Sequence, residues 1–465
     1  MGVPLILGAY ALWLYRHFHF DDSHIMYRYV DNLISGNGWT FNPGEAWNAS
    51  TSVLNPIVTA GVSIVVGGIP RAAHLVGMGA LVAGTVAIAI TMARRGWRFA
   101  ALGVAAATPV LPELLSTWGI ETQLFLGLVL LWMAIESTGR SSWILLGLIV
   151  LARPDGAVIA GLKVAHEVLQ TRRVPWSGLA RFGAVLTPWL LFSLFRFGTL
   201  FPETLSVKIA HRRHWGDHSL YFDGLRDTIK NWLGDGWVVV AVLGVAGFVI
   251  VLRSGYVWLA YLGGFAILQQ MAYVAVSPQT FFWYFSIFQY AMVFYALIAI
   301  QAVVREGRRV EIAAGSLVAI WLLLLWFPSR SDVPATSVPV YREIAAYIDS
   351  VSASDTTIAM SETGTVAYHS PLETRLIDIT GLTSPNGLLI LPENMDGFFA
   401  EPPEFIVMHS ESRAPSPYGP GFPSAVGVWE RMIFGDPRFP ALYAVDHKVS
   451  CPTCEFTIFR LKGKV

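Results

Sequence analysis

Residues 72–92 read AAHLVGMGALVAGTVAIAITM, and Arg94, Arg95 and Arg98 follow within a few positions. A run of this length without Asp, Glu, Lys or Arg rises about 30 Å as an α-helix, the thickness of a bilayer's hydrocarbon core. Basic residues directly behind such a run mark its cytoplasmic end, because Lys and Arg accumulate in short loops on that side. The stretch therefore predicts a membrane-spanning helix with a defined direction.

The same test, applied outward from it, finds apolar runs at 99–115, 123–135, 175–197, 237–252, 256–276, 281–304 and 312–326. Residues 3–15 lack both a basic leader and a small-residue cleavage site behind them, so they are expected to be a retained first span and not a signal peptide. The run at 53–66 is shorter and predicts an interfacial or re-entrant helix. Composition agrees: 54% of the 465 residues are hydrophobic and 14% charged, with a mean hydropathy of +0.52, far more apolar than a water-soluble domain. Lys plus Arg and Asp plus Glu both number 32, which gives no electrostatic case for nucleic acid as a partner. The lipid bilayer is the expected surrounding.

Five basic loops fix the orientation: Arg94 to Arg98, Arg140, Arg172 with Arg173, Arg253, and Arg305 with Arg308 and Arg309. All five face the cytoplasm together only if the N-terminus is inside, residues 17–70 are outside, and 143–169 form a short up-and-down pair broken at Arg153-Pro154-Asp155-Gly156. This arrangement has about eleven crossings and leaves the chain after Pro328 outside. It also gathers the unusual polar segments, 21–52, 112–122, 153–156, 198–235 and 277–284, on the outer face, which predicts one shared site there.

From residue 329 onward, Pro, Ser and charged residues separate short apolar runs. An amphipathic helix is expected over 340–351 and strands over 356–360, 374–379, 404–408, 441–449 and 455–461, which together make a small α/β domain. The domain division is thus 1–328 for the membrane part and 329–465 for the outer domain. Cys451 and Cys454 lie between two expected strands on an oxidising side, where a hairpin disulfide is the expected state; no His cluster accompanies them to suggest zinc.

The chemistry-bearing residues begin with Asp21-Asp22, just past the first span. Adjacent carboxylates repel, so at least one needs a proton, a cation or a metal beside it. Such a pair can take a proton from a hydroxyl, hold a divalent ion such as Mg, Mn or Ca, or do both. The plainer alternative is a helix start, with Asp22 or Ser23 capping a helix over 25–33.

Residues 21–45, DDSHIMYRYVDNLISGNGWTFNPGE, resemble the first outer loop of GT-C glycosyltransferases related to the mycobacterial terminal arabinofuranosyltransferase. That loop commonly reads DDAYI-x-YRYA-x-NL-x-x-G-x-G-x-x-x-NPGE and is followed by a Thr-Ser-Pro-Leu-like stretch. Here 50–54, STSVL, stands in its place without the proline. Further pieces follow in order: GIET at 119–122, similar to the family's G(M/L)ET; RPDG at 153–156, similar to RP(E/D)G; and FGTLFPETLSVK at 197–208, similar to YG-x-LLPNT-x-x-AK. In the tail, ETGTVAYHS at 362–370 and IDITGLT at 377–383 are similar to the family's E-x-G-x-x-GYYS and x-DL-x-GL segments.

The resemblance implies a polytopic GT-C fold with juxtamembrane helices and a small outer α/β domain. It implies an enzyme of the bacterial inner membrane that moves a pentose, arabinofuranose in that family, from a polyprenyl-phosphate donor to an acceptor hydroxyl, with inversion, at the periplasmic face. Asp21 or Asp22 is then the candidate base. His24, Arg28, Arg153 and Lys208 are candidates to face the departing phosphate, where charge in a poorly hydrated cleft counts most. For Arg153 the plainer alternative is a snorkelling charge, and for Lys208 a lipid headgroup contact. Tyr27, Glu121, Asp155, Glu203, Trp283 and Tyr284 are candidate substrate contacts. Glu121 is equally suited to a helix N-terminus, and Trp283 and Tyr284 to an interfacial aromatic belt. Glu362 and Asp378 belong to the acceptor-guiding domain, with turn or hydrogen-bonding roles as the alternative.

A flippase of lipid-linked sugars also has many spans and buried charge. The sequence lacks the paired helix interruptions expected of inverted repeats, and its polar motifs lie on one face. A GT-C transferase using another polyprenyl-linked sugar fits the residues as well. The acceptor is equally open to cell-wall arabinan, lipopolysaccharide or a surface protein such as a pilin.

Overall fold

A computed structural model describes residues 2–204, 206–208, 221–232, 238–278, 281–304, 338–353, 355–385, 395–411, 424–425, 428–450 and 455–463. The chain forms two compact units, one of Met1–Phe18, Ser52–Phe192 and Asp217–Pro334, the other of His19–Thr51, Ser193–Gly216 and Ala335–Val465.

The first unit is helical. Among the described residues, five helices are long and apolar enough to cross a membrane: Ile69–Arg94, Arg98–Leu115, Trp176–Phe197, Val257–Val276 and Ser286–Val303. Shorter apolar helices occupy Gly2–Leu14, Leu54–Val66, Thr122–Glu136, Trp143–Ala152 and Val238–Ser254. About eleven crossings were expected; the expected span at 312–326 lies outside the described residues. In a bilayer no hydrophobic force pulls helix to helix, so close packing must do so, and small residues permit it. Ile69–Arg94 and Thr122–Glu136 meet at Gly84 and Gly127, where a methyl group on Gly84 would lie 2.1 Å from the Gly127 carbonyl oxygen.

The expected break between 143 and 169 is present and has a local cause. A residue before proline is pushed from helical to extended backbone, and Arg153 has φ −152° and ψ 128°. Pro154–Gly156 then form a single 3₁₀ turn, and Ala157–Thr171 resumes the helix. The interruption keeps the Arg153 side chain inside the unit, with 4% of its surface exposed.

The second unit is built on a mixed sheet. Its strands are β1 (Thr357–Met360), β2 (Arg375–Asp378), β3 (Phe405–Glu411), β4 (Ser424–Ala425), β5 (Tyr443–Ser450) and β6 (Glu455–Leu461). The order is β2-β1-β3-β6-β5, with β4 paired to β3. β1 runs parallel to β2 and β3, while β6 is antiparallel to both β3 and β5. β1, β2, β3, β5, β6 and the Val338–Val351 helix fall where they were expected; the short β4 was not expected. Ala359, Ile377, Ile406, Met408, Phe434, Phe439 and Phe459 form the core of one face.

An open β2 edge would invite pairing with another chain. Residues 42–47 cover it. The Asn42 amide donates to the Leu376 carbonyl at 2.8 Å and accepts the Leu376 N–H at 3.0 Å, so it takes the place of a strand neighbour. Glu45 and Arg375 form an ion pair at 2.7 Å, and the Trp47 indole donates to the Leu382 carbonyl at 3.1 Å. The unit therefore includes residues 19–51 as well as the C-terminal stretch.

Candidate active site

Asp21 opens the helix Asp21–Ile34, with Asp22 beside it in the first turn. Carboxylates there suit the positive end of the helix dipole. Ser23 donates back to the Phe20 carbonyl at 2.7 Å, which tightens the helix entry. The expected cap at Asp22 or Ser23 is not the one observed, since the helix begins at Asp21 behind Phe20 with no side-chain cap, and Asp21 also serves a second helix. Its Oδ2 accepts the Gly364 N–H at 3.0 Å and its Oδ1 the Thr365 N–H at 2.6 Å, the first free donors of Gly364–His369. The surrounding protein raises the Asp21 carboxyl above its ordinary range, outweighing the Thr365 and Gly364 donors that lower it.

Glu362 stands just before that helix and receives a hydrogen bond from the Tyr341 hydroxyl. Its surface is exposed. Even so, the protein crowded around its carboxyl, and then the neighbouring Asp21 charge, push it up to about 7. A carboxylic acid tuned to that value is suited to exchange protons near neutral pH. Both Asp21 oxygens accept N–H groups, and among the described residues no group of three or more His, Cys, Asp and Glu could hold a metal.

Arg28 and His24 lie within the second unit. Arg28 is fully buried, and its guanidinium donates to the carbonyls of Ser370, Pro371, Leu372 and Thr374, at 2.8 to 3.3 Å, and to that of Phe41 at 3.3 Å. It fastens the chain entering β2 to the outer loop. His24 packs among His19, Tyr27, Tyr368 and His369, with ring centroids 5.2 to 5.6 Å away. Burial, followed by the neighbouring His19 and His369, lowers its imidazole to about 3, so it is neutral at physiological pH. Tyr27 is buried in the same ring cluster. Asp378 accepts from both backbone and side chain of Thr380 and Thr383, at 2.6 to 3.2 Å, which makes it a turn residue. Glu203 takes part in the same unit: its N–H donates to the Asn48 carbonyl at 3.0 Å, and its carboxylate accepts from Ser206. Lys208 is half-buried there.

The first unit holds a different polar cluster. Arg153 Nη2 and Nε donate to Asp155 at 2.8 and 3.2 Å. Asp155 Oδ2 also accepts from Gln269 Nε2 at 2.6 Å and from the Tyr273 hydroxyl at 3.1 Å. The Phe125 ring lies 5.4 Å under the guanidinium, and the Glu121 carboxylate, at the start of Thr122–Glu136, is within electrostatic reach. Arg153 Nη1 has no hydrogen-bond partner among the described residues. A buried cation with an unused donor is costly unless an anion completes it.

Tyr273 continues into an aromatic cluster with Tyr221 and Tyr284, centroids 5.4 and 4.9 Å away, while Trp283 stacks on Phe281 at 4.4 Å. Sequence reasoning found Arg153, Asp155, Glu121 and Tyr284 but missed Gln269 and Tyr273. The legible signal was an amide pair, Gln269-Gln270, inside an apolar run. Cys451 and Cys454 lie outside the described residues.

No protein-family model matches the sequence, and no curated protein does. Solved structures match in fold. ArnT from Cupriavidus metallidurans bound to undecaprenyl phosphate aligns with a TM-score of 0.63 at 13% identity, covering 99% of this chain and 97% of that one. The apo state of the same protein gives 0.63 at 14%, covering 98% and 97%. ArnT is a GT-C glycosyltransferase. The chain thus has the GT-C architecture of a polytopic helical membrane protein with a small C-terminal sheet domain. These matches do not extend to the mycobacterial arabinofuranosyltransferase.

Proposed function

We propose that this chain is a glycosyltransferase of the inner membrane that moves a sugar from a polyprenyl-phosphate donor to an acceptor hydroxyl at the periplasmic face. The observation that carries this reading is the likeness, over 99% of the chain, to a fold solved with undecaprenyl phosphate bound. The unused Nη1 of buried Arg153 supports it, since a lipid phosphate is the kind of anion that group lacks. For the donor sugar we propose a pentose, arabinofuranose, on the motif resemblance alone. The acceptor is a glycan or protein of the cell envelope.

In this reading the acceptor oxygen attacks the anomeric carbon while the bond from that carbon to the phosphate oxygen breaks, and the electron pair leaves with polyprenyl phosphate. The acceptor proton passes to a carboxylate, an effect worth about 10² to 10⁴ in rate. The base is assigned to the Asp21-Asp22 pair on the motif resemblance. Arg153, held in its fork geometry by Asp155, binds the phosphate oxygens and stabilises the charge that grows on them. No step is assigned to a divalent cation.

The test is to incubate purified protein with a panel of polyprenyl-phosphate pentoses and hexoses and an acceptor glycan, following release of polyprenyl phosphate. Release with one member of the panel is expected. Passage of intact donor across vesicles with no cleavage of any member would overturn the reading in favour of a flippase.

A further inference from the structure

The cluster around Asp155 leaves two polar atoms without a partner among the described residues, Arg153 Nη1 and Gln269 Oε1, on side chains 4% and 1% exposed. Both side chains hang from one oxygen: Asp155 Oδ2 receives Arg153 Nη2 at 2.8 Å and Gln269 Nε2 at 2.6 Å. An ionised carboxylate only accepts hydrogen bonds, so the amide must turn its NH₂ toward Asp155 and its carbonyl oxygen away. The Tyr273 hydroxyl, donating to the same oxygen at 3.1 Å, leaves that orientation no alternative. Gln269 lies on Val257–Val276, a helix apolar enough to span a membrane, where an amide with an idle acceptor is out of place unless a ligand completes it. The site therefore presents one cationic donor and one neutral acceptor, both preorganised by a single carboxylate.

Polyprenyl phosphate, the product of transfer, offers ionised oxygens that satisfy Arg153 but has no firm donor for Gln269. A polyprenyl-phosphate sugar offers both phosphate oxygens and hydroxyl groups. We propose that Gln269 Oε1 accepts a hydrogen bond from a hydroxyl of the donor sugar while Arg153 Nη1 holds a phosphate oxygen, so that the site prefers the loaded donor to the spent lipid. This rests on the transferase reading and adds to it a specificity-determining residue and a reason for product to leave. One neutral hydrogen bond of this kind changes binding about tenfold.

The experiment measures binding of a polyprenyl-phosphoryl pentose and of the matching polyprenyl phosphate to the full-length protein and to Gln269→Met and Tyr273→Phe. Gln269→Met is expected to weaken the sugar lipid about tenfold more than the bare phosphate. Tyr273→Phe, which removes support from Asp155 but leaves Oε1 in place, is expected to affect both lipids alike. Equal loss, or none, in Gln269→Met overturns the inference and leaves the transferase reading standing; failure of the unsubstituted protein to bind either lipid overturns both. Should Gln269→Met fail to fold, monodeoxy-sugar lipids are tested on the unsubstituted protein. One deoxy position is expected to reproduce the tenfold loss, and full affinity for every deoxy lipid overturns the inference.

Discussion

Gly364 lies so close to Asp21 that a methyl group built on it would meet the Asp21 carbonyl oxygen at 2.2 Å. The contact lets the Asp21 carboxylate reach the Gly364 and Thr365 N–H groups, and so joins the Asp21–Ile34 helix to the α/β part of the same unit. Gly364→Ala would force backbone apart, a disturbance of about 1 to 3 kcal/mol. The expected outcome is a lower melting midpoint and faster proteolytic cutting near residues 19–51, measured on the purified protein in detergent.

The two aspartates should separate in their effects. Asp21→Asn keeps one acceptor oxygen but replaces the other with a donor facing an N–H, so a loss of about 1 to 3 kcal/mol in stability is expected. Asp22→Asn is expected to lower turnover by about 10² to 10⁴. Full turnover in Asp22→Asn would remove it as the base.

Glu362 predicts a pH dependence with a definite sign. Its native carboxyl titrates at about 7 against an ordinary 4.5. Between those values the native state holds more protons than the unfolded chain, so this stabilising contribution is full below pH 4.5 and is lost as pH rises through about 7. His24 works in the other direction: lowered from 6.5 to about 3, it stabilises above pH 6.5 and loses that contribution as pH falls toward 3. Between pH 4.5 and 6.5 the two slopes oppose, so thermal melts are expected to show stability of Glu362→Gln rising more steeply with pH there than that of the unsubstituted protein. A curve in Glu362→Gln superimposable on that of the unsubstituted protein would contradict the assignment.

Arg153→Lys keeps a charge but not the two-pronged grip on Asp155, and a single ammonium cannot bond to carboxylate and phosphate in the same plane. Turnover is expected to fall by at least about 10², with donor binding weakened in parallel. Asp155→Asn places an amide against the donors of Arg153, Gln269 and Tyr273 and should cost about 3 to 5 kcal/mol as a buried pair is broken. Donor titration and melting on the two variants separate the phosphate role from the folding role.

Local chemistry set out much of this protein in one dimension. Apolar length and flanking arginines located spans such as Ile69–Arg94; the proline behind Arg153 dictated a broken helix; alternation placed β1 to β3, β5 and β6. Each of these depends on a residue and its near neighbours, and periodicity records that. Which polar groups would have partners was decided only in three dimensions. Arg28 was a candidate phosphate contact before five carbonyls were seen to converge on it, Asp21 takes N–H groups from over 340 positions away on both its oxygens, and Gln269 stood out only once its amide was seen against Asp155. Hydrogen-bond satisfaction is a property of the assembled neighbourhood, and a linear spacing carries no record of it.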